Sequence, residues 1–179
     1  MTMTRRKILA ASLGTFAVGA VGTASWLATG PALPEPGIAR ALARLDQFDA
    51  GSGLSTHGAW SAFKVFEHLA QSVEMSIHGY PEHKSALFQR TAGAAAFAVF
   101  RKRGQMRHGL DEPIPGAPGI ESDGDVASAM ARLRTALLDF EAYQGTLAPH
   151  FAYGQLSREQ YAIAHALHLD NHLLEFTTP

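Results

Sequence analysis

The sequence contains no cysteine among its 179 residues. A disulfide framework, thiolate ligation of a metal ion and a cysteine nucleophile are therefore all excluded. Any metal ion must instead be bound by histidine, aspartate, glutamate or water. The length suits one domain with a hydrophobic core and, once the N-terminal segment is set aside, is too short for two.

Charged residues are also few, at 17% of the chain, and the formal net charge is −1. Three of the 15 basic residues, Arg5, Arg6 and Lys7, lie in the N-terminal segment, so 12 remain beyond it against 16 acidic residues, a charge near −4. A domain with this negative balance lacks the electrostatic attraction that nucleic-acid binding requires. We therefore expect no nucleic-acid partner.

The N-terminal segment has the pattern of a twin-arginine export signal. Arg5 and Arg6 precede an uncharged run, rich in alanine and glycine, that extends to Leu27. This pattern predicts a signal over residues 1–30, the twin-arginine export machinery as a partner, and a periplasmic or other extracytoplasmic location. The alternative is an uncleaved anchor, because about twenty apolar residues can span a bilayer. The membrane is expected as a partner only if the segment is retained.

Proline and helical periodicity divide the remainder into a tether and one helical domain. Three prolines within residues 31–37 predict a tether without regular structure. Apolar residues at helical spacing then predict a single domain over residues 38–179. The predicted helices cover a short first segment at 38–48, a segment from beyond Gly58 to about 77, and further segments over about 84–105, 125–145 and 157–176.

The expected fold is all-α, a four-helix bundle with a short extra N-terminal helix and a proline-rich loop between the second and third bundle helices. That loop covers residues 111–119, where three prolines exclude helix and central strand. The helix over 84–105 has apolar residues on more than one face, which predicts a central position. Asp123 or Asp125 is expected to cap the next helix, and Ser157 with Gln160 fits a capping box.

The last predicted helix contains three histidines, His165, His168 and His172. Residues three or four apart lie on the same helical face, so two imidazoles at such spacing can bind one ion. His168 with His172, or His165 with His168, satisfies this condition. His165 and His172 are two turns apart, roughly 10 Å, and cannot readily share an ion. The alternative is that these are surface histidines or hydrogen-bonded core histidines.

A third ligand must come from another helix, and His68 is the best candidate. It shares one side of its predicted helix with polar but uncharged residues, whereas a solvent face usually carries more charge. This composition suits a pocket wall, although an exposed histidine is the alternative. The neighbours of His68 on that side are Ser61, Gln71, Ser72 and Met75.

Five stretches of the chain resemble a bacterial family that is catalogued as a domain of unknown function and is similar to a branch of the DinB and YfiT-like metalloprotein superfamily. The resemblance covers nearly all of the chain after residue 55. It implies a DinB-like four-helix bundle holding a divalent ion, zinc or nickel, on His68, His168 and His172. Asn171 departs from related motifs, which often have histidine there. The stretches are 67–76, 79–81, 113–118, 149–157 and 168–173.

Three histidine ligands leave a coordination position at which water or a substrate carbonyl can be activated. The resulting expectation is a metal-dependent hydrolase, isomerase or transferase acting on an unknown small molecule. His150 and Tyr153 precede the last helix and are candidate catalytic or substrate-binding groups, or they merely pack that turn. Candidate acceptors for the second nitrogens of the ligands are Glu67, Glu74 and Asp170.

Other histidines, His57, His78, His83 and His108, are expected on loops or surfaces. A second functional hypothesis is a non-catalytic module of the cell envelope that binds a small molecule or a protein partner, with structural histidines. A third is a membrane-attached member of an envelope complex. The oligomeric state is left open, with a homodimer as one option.

Overall fold

The computed structural model describes residues 37–48, 50 and 53–177. The predicted export signal over residues 1–30 and residues 31–36 of the predicted tether lie outside the described residues. The described part is mostly helical, as expected, with one very small antiparallel sheet. Its elements are α1 (Ile38–Leu45), β1 (Ser55–Thr56), α2 (Ala62–His78), α3 (Ala86–Phe88), a π-helical segment (Gln89–Gly93), α4 (Ala94–Arg103), α5 (Val126–Ala142), α6 (Arg158–Leu173) and β2 (Phe176–Thr177).

Side-chain caps begin the long helices where the sequence indicates them. The Asp125 carboxylate accepts a hydrogen bond from the amide of Ala127, so Asp125 rather than Asp123 caps α5. Ser157 and Gln160 form the expected capping box of α6, each side chain accepting from the other's backbone amide. A cap of this kind stabilises a helix by about 1 kcal/mol.

The hydrophobic core lies among α1, α2, α5 and α6. Helix α2 packs along α5, α1 packs against both α5 and α6, and α2 also contacts α6. Large core side chains include Val65, Phe66, Leu133, Leu137, Phe140, Tyr161 and Leu169. Helix α2 also buries its polar side, namely His68, Gln71, Ser72 and Ser76. The interior beside α2 and α6 is therefore partly polar, and this is where the candidate site lies.

The prediction that the helix over residues 84–105 is central was wrong. Within α3, the π-helical segment and α4, only Gly93 and Phe97 are buried, and Leu87 is 72% exposed. Most apolar positions on its several faces are alanines, which gain little from burial because the side chain is small. The segment packs on one side only, where an added Cβ at Gly93 would lie 2.0 Å from the carbonyl oxygen of Ala152.

The two-stranded sheet was not predicted. Ser55 pairs with Thr177 and Thr56 with Phe176, which joins the chain before α2 to the chain after α6. Two residues per strand are too few to give an alternating pattern. In the described part of the chain, no helix has the length and apolar character needed to cross a membrane.

Candidate metal centre

His168 and His172 lie one turn apart on α6 and direct the same ring nitrogen at each other. Their Nε2 atoms are 3.1 Å apart. Two imidazole nitrogens bound to one tetrahedral ion at about 2.0 to 2.1 Å are themselves about 3.3 Å apart. The pair is therefore spaced almost as two ligands of one ion would be.

His68 on α2 completes a trio of histidines with this pair. Its ring centroid is 5.2 Å from that of His168 and 5.1 Å from that of His172. One nitrogen of each ring lies within 4.8 Å of the others, and this group could hold a metal ion. His68 and His172 are buried, whereas His168 is partly exposed. The helical spacing on α6 and the polar face of α2 thus converge as the sequence predicts.

One buried nitrogen of the trio supports its fit to a cation. Nδ1 of His68 has no hydrogen-bond partner among the described residues. A buried nitrogen left without a partner costs about 1 to 3 kcal/mol, so an ion bound to this nitrogen would relieve that penalty. Nδ1 of His172 also has no partner there, but Nε2 of that ring faces His168, so an ion between the two rings leaves Nδ1 of His172 unpaired. The donor set also suits the ion, because neutral imidazole is a preferred ligand of zinc and nickel.

Burial keeps all three rings neutral. Desolvation, together with the nearby His108 and Lys64, lowers the pKa of His68 to about 4. Desolvation and the neighbouring histidines lower the pKa of His172 to about 2 and that of His168 well below its usual value. Because metal ligation requires the deprotonated ring, the trio is in its ligating form at neutral pH.

Trp60 packs against two members of the trio. Its ring is stacked with that of His172, with centroids 6.3 Å apart, and meets that of His68 edge to face at 5.0 Å. Trp60 is buried, and the ammonium of Lys64 lies over its ring, 5.0 Å from the centroid. His68 and His172 thus have an aromatic neighbour that holds their rings in place.

His165 does not join the trio, which decides between the two pairs that the spacing allowed. Its Nε2 lies 3.2 Å from the hydroxyl of Ser76, and that hydroxyl donates to the carbonyl of Val73. The Ser76 oxygen must therefore accept from His165, which places the ring proton on Nε2. Complete burial lowers the pKa of His165 to about 3, so this core histidine is neutral.

A cavity of about 180 Å³ adjoins the trio. His150 and Tyr153 both line it, with their rings stacked 4.2 Å apart. Nδ1 of His150 accepts from the amides of Ala152 and Tyr153, so the ring proton is on Nε2. Burial lowers the pKa of His150 to about 3 and raises the pKa of Tyr153 to about 12. Other lining residues are His68, Ser72, Met106, Ile114, His165 and His168.

The carboxylates suggested as acceptors for the second nitrogens are engaged elsewhere. Glu67 and Glu74 both pair with Arg132 of α5. Asp170 pairs with two arginines of α1, Arg40 and Arg44. Glu67 is adjacent to His68, and Asp170 is two residues from both His168 and His172, so these side chains diverge around the helix from those of the trio. Asn171 is buried, and its Nδ2 has no hydrogen-bond partner among the described residues.

His108 borders the trio, which the sequence did not indicate. It is exposed and lies in the loop after α4, as expected, but its ring centroid is 5.0 Å from that of His168 and 5.5 Å from that of His172. A loop has no periodicity from which its direction could be read, so only the nearby prolines hinted at an ordered segment. The exposed His57, His78 and His83 lie outside the trio, as expected.

Comparison with known proteins gives one match. The model of a family described as "Protein of unknown function (DUF1569)" matches residues 36–179. That range includes every residue of the trio and of the adjoining cavity. Neither the curated proteins nor the solved structures contain a match.

Proposed function

The chain belongs to DUF1569, a family of proteins of unknown function, and we propose that it binds one divalent metal ion through His68, His168 and His172 and acts with it on a small molecule. The observation that carries this proposal is the convergence of three neutral imidazoles, from two helices far apart in sequence, beside a cavity. Histidines that were buried only for packing would gain nothing from directing their ring nitrogens at one point.

The expected architecture around this ion is a DinB-like four-helix bundle. Two features support it: one ligand comes from the first long helix, α2, and the other two come from one turn of the last helix, α6. Zinc and nickel are the proposed metals, because the donor set consists of imidazole alone and the chain has no thiolate.

A divalent ion bound there would supply Lewis acidity, which suits hydrolysis, isomerisation or group transfer. The chain's own groups would bind and orient the substrate. His150 uses Nδ1 to accept two amides, which leaves its Nε2–H to donate to a molecule in the cavity. Tyr153 keeps its hydroxyl proton at neutral pH and can donate likewise. Met106, Ile114 and Phe151 supply the apolar wall.

The location that we propose is periplasmic, with delivery by the twin-arginine machinery. This rests on Arg5, Arg6 and the uncharged run that follows them. Sequencing the N-terminus of the exported protein tests it, because loss of Arg5, Arg6 and the uncharged run indicates cleavage. An intact N-terminus would instead indicate a membrane-attached protein.

The alternative function is a non-catalytic module that binds a small molecule or a protein partner. The apolar part of the cavity wall, formed by Met106, Ile114 and Phe151, favours the binding of a small molecule even if no metal is present. The two functions differ in what the histidines do: removal of the metal abolishes ligand binding in the first and leaves it unchanged in the second.

Metal analysis of protein purified after native export tests the proposal. We expect about one zinc or nickel ion per chain, lost in His168→Ala while the helical content is retained. His78→Ala is the matched control, because His78 is also a helical histidine but is exposed and outside the trio. Metal well below one per chain that added zinc or nickel does not restore would refute the proposal.

A further inference from the structure

His108 borders the trio, and the proposed function gives it no role. It belongs to the loop that follows Gly104, and two neighbours anchor this loop: Met106 is buried on one side and Ile114 on the other. Between these anchors the side chain of His108 is exposed, yet it lies over the trio and lines the same cavity. The loop therefore holds an imidazole at the mouth of the candidate centre.

The ring of His108 is spaced from two members of the trio as a fourth ligating imidazole would be. Ligating rings around a tetrahedral ion have centroids about 5.2 Å apart, since each centroid is about 3.2 Å from the metal. The trio's own centroids are separated by 4.9 to 5.2 Å. His108 lies 5.0 Å from His168 and 5.5 Å from His172 by the same measure. His108 is outside the group whose nitrogens lie within 4.8 Å of one another, so its loop must bring it closer to His68 to bind the same ion.

The tautomer of His108 also suits ligation. Its Nδ1 is 2.6 Å from the carbonyl oxygen of Gly109, and a carbonyl can only accept. The ring proton is therefore on Nδ1, and Nε2 keeps its lone pair. Histidines that bind metals almost always donate their other ring N–H to such an acceptor, which fixes the orientation of the ring.

We propose that His108 is a fourth ligand of the metal ion and that a molecule entering the cavity displaces it. This inference rests on the proposed function, because it requires the ion on His68, His168 and His172. Displacement follows from position: His108 is exposed on a loop and lines the cavity, whereas the other ligands are held by helices. The four imidazoles would hold the ion before a substrate binds, and His108 would give up its place to the substrate while the other three histidines stay.

Cobalt titration of the metal-free exported protein tests this proposal through the visible d–d absorption of the ion. We expect His108→Ala to bind cobalt with different d–d bands and at least about tenfold weaker affinity, since loss even of an outer-sphere partner costs 10- to 100-fold. Added imidazole should restore the wild-type bands. Glu112→Gln is the matched control, because Glu112 lies in the same loop and lines the same cavity but carries no imidazole.

The outcomes separate this inference from the proposed function. Unchanged bands and affinity in His108→Ala, with wild-type protein binding one cobalt ion, would refute the role of His108 alone. An effect of Glu112→Gln that equals or exceeds that of His108→Ala would also refute it, because the carboxylate would then be the fourth ligand. Failure of the wild-type protein to bind cobalt, zinc or nickel would refute the proposed function itself. Circular dichroism of each variant verifies that it is folded.

Discussion

The metal-free domain should lose stability steeply as the pH falls below about 6.5, because its folded state buries neutral histidines that protonate readily once unfolded. His165 and His150 show this best, since neither belongs to the metal trio and burial lowers the pKa of each to about 3. Below the unfolded pKa of 6.5 the unfolded chain binds more protons than the folded chain, so the free energy of unfolding decreases as the pH decreases. The free energy of unfolding continues to decrease until the pH reaches the pKa of these histidines in the folded state.

The magnitude follows from these two pKa values. From pH 6.5 to pH 5 is one and a half units, and each unit is worth about 1.4 kcal/mol per histidine, so His165 and His150 each remove about 2 kcal/mol. Their sum of about 4 kcal/mol is a large part of a typical stability of about 5 to 15 kcal/mol. The three trio histidines add to this loss in the absence of metal.

Urea unfolding of metal-free protein at pH 7 and pH 5, followed by circular dichroism, measures the difference. In His165→Leu the difference between the two pH values should shrink by about 2 kcal/mol, because one proton-binding group is removed from the unfolded chain. The loss of its hydrogen bond to Ser76 lowers stability equally at both pH values and leaves the difference unaffected. His78→Leu, at an exposed position, is the control. An equal free energy of unfolding of the wild-type protein at pH 7 and pH 5 would show that the folded state does not keep these histidines neutral.

Three further predictions test other parts of the structure. Binding of nickel should quench the fluorescence of Trp60, whose ring centroid lies 5.0 Å from that of His68. Trp60 is the only tryptophan of the sequence beyond the predicted signal, so it dominates the emission. Unchanged emission at saturating nickel would contradict this prediction. Gly93→Ala should lower the melting temperature, since its Cβ would lie 2.0 Å from a backbone oxygen and relieving the overlap costs about 1 to 3 kcal/mol. A melting temperature equal to that of the wild type would show that the backbone of residues 150–154 can move away without a loss of stability. Ser157→Ala should cost about 1 kcal/mol of unfolding free energy through loss of the capping box, and an unchanged urea midpoint would argue against that cap.

Local rules explain the parts of the site that could be predicted. Spacing of four residues on a helix fixes a shared face, which made His168 with His172 one of two possible ligand pairs, and the uncharged polar side of α2 made His68 a candidate. The resemblance to DinB-like proteins, rather than spacing, selected these three. The same rules left His165 as an alternative, because spacing alone does not show that Ser76 from α2 lies against it. The caps of α5 and α6 followed from side-chain chemistry in the same way.

Features that depend on packing between distant segments were beyond the sequence. His108 lies in a loop whose course is set by the burial of Met106 and Ile114. The helix over residues 84–105 proved peripheral because its neighbours, not its composition, decide which face is covered. The ring proton of His150 is on Nε2 because its Nδ1 accepts from two amides of the following turn, and no pattern of residue types predicts that arrangement.

X-ray absorption spectroscopy of the zinc- or nickel-loaded protein is the most direct test of the metal centre. We expect at least three imidazole nitrogens bound to the metal ion at about 2.0 to 2.1 Å, and we expect these nitrogens to be lost in His168→Ala. A shell of oxygen atoms only, or one that persists unchanged in His168→Ala, would contradict this expectation.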